Sequence, residues 1–132
     1  MTELLHGDLT YQIIGAAMNV HCELGPGFLE SIYQKAMESE LRGRGIAFEA
    51  QKRVVVSYKG EALAEHVLDP VVDGKVVIEL KAARDLAPEH EAQIISYMKA
   101  SGLAVGLLIN FAKPSLEYKR ILLKETLRPK SA

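Results

Sequence analysis

Apolar residues at the start of the chain recur at three- and four-residue steps. Leu9, Ile13, Ala16, Ala17 and Val20 fall on one stripe, which predicts a helix opening near Asp8, a good capping residue. Gly25-Pro26-Gly27 interrupts that pattern, because glycine lacks helical preference and proline is tolerated mainly in a first turn. A second helix restarts there with Leu29, Ile32, Tyr33, Ala36 and Met37 as its buried stripe, and stops around Gly43 to Gly45. From Ile46 the period falls to two: Ile46, Phe48 and Ala50, then Val54, Val56 and Tyr58, predict one long or bulged strand. Lys59-Gly60-Glu61 reads as a turn into a second strand, Ala62 to Asp69, and Asp73-Gly74 as a tight turn into a third, Lys75 to Lys81. A third helix follows Asp85 to Pro88 and runs to about Ala100, with Glu89 and Glu91 where the helix dipole favours anions. Val105, Leu107, Leu108 and Ile109 predict a buried strand, and Leu116 to Leu123 a further one. The expected fold is α+β: a mixed sheet, made of an antiparallel three-stranded meander plus the strands after a crossover helix, flanked by helices.

Composition narrows the class. The 132 residues suit one domain, with a core expected over about 9–123. A hydrophobic share of 48% with 25% charged residues excludes a disordered or collagenous chain. No apolar stretch approaches the ~20 residues needed to cross a bilayer, and no secretory leader is apparent, so the expected location is the cytoplasm. Cys22 has no cysteine partner and is expected to be buried packing. Sixteen basic and seventeen acidic residues nearly cancel, which excludes a polycation that holds nucleic acid by charge alone. The distribution is uneven: from Glu61 to Glu91 eight acidic residues face Lys75, Lys81 and Arg84, whereas Lys113 to Lys130 carries six basic residues against Glu117 and Glu125.

The third strand carries the candidate chemistry. Val76, Ile78 and Leu80 share one face, so Val77, Glu79 and Lys81 share the other, in surroundings apolar enough for a central strand. Charges there are costly unless paired or liganded. Asp69 ends the preceding strand, and with nine residues between it and Glu79 the hairpin can bring both carboxylates to one end of the sheet. Two carboxylates beside a lysine can hold a hard divalent cation, Mg²⁺ or Mn²⁺, and activate water against a phosphodiester. The same spacing also fits a solvated ion pair worth at most ~1 kcal/mol. His90, Gln93 and Tyr97 line one helix face, which either leans over the site or is the polar side of an amphipathic helix. His66 shares a strand face with Leu68 and is left out of the metal site. Lys119, Arg120 and Tyr97 are candidate nucleic-acid contacts, with plain surface charge the alternative for the two cations.

Gly27-Phe28-Leu29-Glu30-Ser31-Ile32-Tyr33, Asp69 with Val77-Ile78-Glu79-Leu80-Lys81-Ala82, His90 to Tyr97, and Gly106 to Phe111 together resemble the GxxExxY proteins, a branch of the PD-(D/E)xK nuclease-like superfamily. The resemblance spans about Leu9 to Leu123. It implies a nuclease-like core with Asp69 and Glu79 as metal ligands, the Leu80 carbonyl as a third, Lys81 beside the attacked phosphate, Glu30 as an auxiliary acid and Gln93 approaching from the helix. One departure is that Pro70 follows Asp69, where the superfamily's proline commonly precedes the acidic residue. The expected activity is metal-dependent hydrolysis of DNA or RNA, in a homo-oligomer because so small a domain leaves little surface to enclose a duplex. The alternative is a non-catalytic module on the same fold that binds nucleic acid or a protein.

Overall fold

In the computed structural model, which describes residues 5–68 and 70–124, the first two apolar stripes become α1 (Gly7–Leu24) and α2 (Glu30–Gly43). The α1 stripe is buried as expected through Ile13, Ala16, Ala17 and Val20. On α2 the buried row is Tyr33, Met37 and Leu41, at strict four-residue steps, while Leu29 and Ile32 are exposed. Leu29 only caps the helix, and Ile32 lies about 100° round from Tyr33. Cys22 is also exposed, contrary to its expected packing role, because the neighbouring buried position belongs to His21. The His21 imidazole lies 2.8 Å from the Lys113 carbonyl through Nε2.

The single strand expected over 46–58 is two, β1 (Phe48–Glu49) and β2 (Lys52–Tyr58), separated at Ala50-Gln51 where the alternation lapses. β2 and β3 (Glu61–Leu68) form a hairpin that is a sheet of its own. The chain then continues through Pro70 into β4 (Val71–Val72) and β5 (Val76–Lys81). The antiparallel meander therefore runs through both sheets. Lys59 and Gly60, and again Asp73 and Gly74, all have positive φ. That is the turn geometry which matches the twist of paired strands and which Asp-Gly accommodates.

From β5 the chain crosses by α3 (Pro88–Ser101) to β6 (Val105–Asn110), parallel to β5, and returns as β7 (Glu117–Leu122). The main sheet has the order β1-β4-β5-β6-β7. Every residue of β6 is buried, as a central strand covered on both faces requires. On one face α1 and α2 pack on Val76, Ile78, Leu80, Leu107 and Ile109. On the other, Ile94 and Met98 of α3 pack with Val77, Leu108 and the hairpin residues Val54 and Leu68. Gly106 sets how closely α3 approaches, since a Cβ there would lie 2.7 Å from Met98 Sδ and 3.0 Å from Ile94 Cδ1.

The two-residue β4 positions the site. Its ladder with β5 covers Val71↔Val77 and Val72↔Val76, and one further bond runs from the Ile78 N–H to the Pro70 carbonyl at 3.1 Å. Beyond that point β3 peels away from the main sheet with its hairpin partner. Glu79 and Leu80 of β5 there border a cleft.

Candidate active site

Strand alternation sends Val77, Glu79 and Lys81 to the α3 side of the sheet, as expected. The Glu79 and Lys81 side chains are only 18% and 16% exposed, and Lys81 Nζ lies 3.4 Å from Glu79 Oε1. The same ammonium donates to Gln93 Oε1 at 2.9 Å. Gln93 precedes Ile94, one of the two residues that anchor α3 on the sheet, so close helix packing fixes the amide that holds the lysine. One turn later Tyr97 enters the same environment. Burial, then the negative charge of Glu79, push its phenol above the ordinary tyrosine range, against a hydrogen bond with Gln93 that lowers it. Its ring stacks on His66 with centroids 4.4 Å apart.

Where the two sheets part there is a cleft of about 220 Å³. Glu79 and Leu80 form its β5 wall, His66 to Leu68 its β3 wall, and Tyr97 borders it from α3. Glu30 and Gln34 close it from α2. The cleft straddles the edge of β5, because Leu80 packs its side chain into the α1–α2 core while Glu79 faces α3. Lys81 and Gln93 flank it through Glu79.

The approach of Glu30 follows from the loop before it. Gly27 has φ 114°, a conformation L side chains rarely adopt. The buried Tyr33 hydroxyl donates to the Gly25 carbonyl at 2.6 Å and accepts from the Phe28 N–H at 3.2 Å, and its ring stacks 4.5 Å from that of Phe111. These contacts pin the α1–α2 connection and set Glu30 as the first residue of α2. The Lys81 main chain is fixed from the other side. The Phe111 N–H donates to its carbonyl at 2.9 Å, and the fully buried Asn110 amide clamps Ala83 by accepting from its N–H at 3.0 Å and donating to its carbonyl at 2.7 Å.

Glu30, Glu79, Leu80 and Tyr97 thus share one cleft, with Lys81 and Gln93 beside it. Asp69 lies outside the described residues, as do Glu125, Arg128 and Lys130 of the basic tail. Among the described residues no group of three or more His, Cys, Asp or Glu could hold a metal. Lys119 pairs with Glu91 at 2.9 Å. Arg120, next along β7 and therefore on the opposite face, donates to the Leu5 carbonyl and buries an Nε without a hydrogen-bond partner. These two cations form no joint surface. His90 is a local cap, its Nδ1 accepting from the Ala87 N–H at 3.0 Å, so only Gln93 and Tyr97 of that helix face reach the site.

Sequence reasoning missed Gln34 and His66. The signal for Gln34 was its four-residue step from Glu30, which puts both on one helix face. His66 gave none, because alternation along β3 separates it from Asp69 and says nothing of the sheet parting there. A family model described as the PD-(D/E)XK nuclease superfamily matches residues 7–121. No curated protein and no solved structure matches the chain.

Proposed function

Because the chain belongs to the PD-(D/E)XK nuclease superfamily, we propose that it hydrolyses phosphodiester bonds of DNA or RNA with Mg²⁺ or Mn²⁺, and that it is one of the GxxExxY proteins within that superfamily. The observation that carries this is the convergence of Lys81 Nζ with Glu79 and Gln93 on the α3 side of β5, beside a cleft that Glu30 also borders. A pure scaffold gains nothing from gathering mostly buried charges on one strand.

The donors suit a hard cation. Glu79 and Glu30 are oxygen donors, and the Tyr97 phenol, raised first by burial and then by the charge of Glu79, borders the same cleft. Asp69 supplies the second carboxylate in this proposal. Its support is the sequence pattern, in which nine residues separate Asp69 from the Glu79 that borders the cleft. Asp69, Glu79 and the Leu80 carbonyl would hold the cation, with Glu30 in support. When bound, a divalent cation offsets carboxylate repulsion and the negative charge that develops on the scissile phosphate. Lys81 has three donors, of which Gln93 takes one and Glu79 attracts another, leaving one to orient the attacking water or a phosphate oxygen. Gln93 holds the ammonium in place, and Tyr97 stays a neutral hydrogen-bond donor at physiological pH.

The test is incubation of the protein with plasmid, single-stranded DNA and RNA, with Mg²⁺ or Mn²⁺ and with chelator, alongside Asp69→Ala and Lys81→Ala. Cleavage should vanish with chelator and fall by about 10²-fold or more in both variants. Equal cleavage by wild type and variants marks a contaminant. Binding without cleavage puts the non-catalytic module ahead.

A further inference from the structure

We propose that two copies of this chain join edge to edge through β2, in antiparallel register centred on Val55. The β2–β3 hairpin is a sheet of only two strands, and the β2 residues make no backbone hydrogen bond outside it among the described residues. Two-stranded hairpins are marginal alone, and an open strand edge is a template for another strand. The two edges of this hairpin differ. Its bulge falls where Val56↔Ala64 is followed by Ser57↔Ala62, so the extra residue, Leu63, belongs to β3. β3 is thereby blunted, whereas β2 stays regular over seven residues. Beside β2 runs an open groove of about 440 Å³ whose α3 wall includes the small residues Ser96 and Ala100.

The occupant is a second copy because β2 is its own complement. Val55 is the midpoint of Lys52–Tyr58 and is 52% exposed. Antiparallel pairing about it sets Val54 opposite Val56, Arg53 opposite Ser57 and Lys52 opposite Tyr58. No like charges meet, and Arg53 is already neutralised within its own chain by Glu65 at 2.5 Å. A register centred on Arg53 would instead oppose two guanidinium groups. The pairing makes a four-stranded sheet β3-β2-β2-β3 and leaves both clefts open, since each lies on the β3 side of its hairpin. It stands whether or not the cleft is catalytic.

Light scattering of the full chain should give twice 14.5 kDa, about 29 kDa, rising with concentration from the monomer. Val55→Glu, which opposes two carboxylates across the axis, should give monomer at the same concentration with an unchanged circular dichroism spectrum. In a Cys22→Ser background, Val55→Cys should oxidise to a covalent dimer, because facing residues of an antiparallel pair sit about 4.5–5.5 Å apart at Cα, within disulfide reach. Tyr58→Cys should not, its two copies being about 20 Å apart at ~3.4 Å per residue. Wild type that stays monomeric at high concentration, Val55→Glu that stays dimeric, or Tyr58→Cys that crosslinks as fast as Val55→Cys overturns the proposal.

Discussion

Gly106→Ala tests whether the α3–β6 contact sets the site. The added Cβ would meet Met98 Sδ at 2.7 Å and Ile94 Cδ1 at 3.0 Å, against ordinary contacts of about 3.5–4.0 Å. Both neighbours are fully buried, so relief requires a new rotamer in a full core or a retreat of α3 by up to about 1 Å. Overpacking of this kind costs about 1–3 kcal/mol, and replacing a glycine inside a strand returns about 0.5–1 kcal/mol. The net loss is about 0–2.5 kcal/mol, near 1 kcal/mol at mid-range. At roughly 3–4 °C per kcal/mol for a chain of this size, calorimetry should show Tm lower by about 4–5 °C and by no more than about 10 °C. Gly43→Ala is the control, since its Cβ meets nothing within 4 Å in a helical conformation, and Tm should hold or rise slightly. Gln93 and Tyr97 are the immediate neighbours of Ile94 and Met98, so a retreat of α3 carries both away from Glu79 and Lys81. Cleavage should therefore fall by about 10-fold or more at temperatures where the variant is folded, since misplacement near 1 Å costs up to about 10²-fold. A raised Tm, unchanged cleavage, or an equal loss in Gly43→Ala would refute the reasoning.

Tyr33→Phe removes the hydroxyl that ties Gly25 to Phe28 and should cost about 1 kcal/mol, read as a Tm drop of about 3–4 °C in calorimetry; no drop would mean the loop holds without it. Tyr97 binds its proton more tightly folded than unfolded, so its contribution to stability is fully present below the ordinary tyrosine midpoint of about 10 and is lost as pH rises through the higher folded midpoint. Phenolate absorbance, taken as the difference from Tyr97→Phe, should grow in above pH ~10 and move partway down in Glu79→Gln, because burial still raises the phenol but the charge of Glu79 no longer does. Insensitivity to Glu79→Gln would contradict the placement of these two groups.

The three helices, the two glycine-bearing turns and the shared face of Glu79 and Lys81 were legible because each is a local consequence of period or of turn chemistry. The division of residues 46–58 was not, since alternation shows that Phe48 and Val54 lie in strands but not that one pairs with β4 and the other with β3. The exposure of Leu29 and Ile32 was hidden for a related reason: helical spacing defines a stripe but not its width, and the sheet covers only the Tyr33–Met37–Leu41 row. At the site, the strand pattern gave Glu79 and Lys81, and the spacing left Gln93 and Tyr97 open between two roles. His66 was weighed and left out of the metal site, and its stacking on Tyr97 was not legible because that contact arises only where the two sheets separate.

The central claim is that the end of β5 is built to hold a divalent cation. Electron paramagnetic resonance of free Mn²⁺ titrated with the protein measures this without any substrate. Wild type should take up one ion per chain, with affinity weakened about 10-fold or more in both Asp69→Asn and Glu79→Gln and largely kept in Lys81→Met. Uptake that is absent in wild type, or equal in wild type and both carboxylate variants, would contradict it.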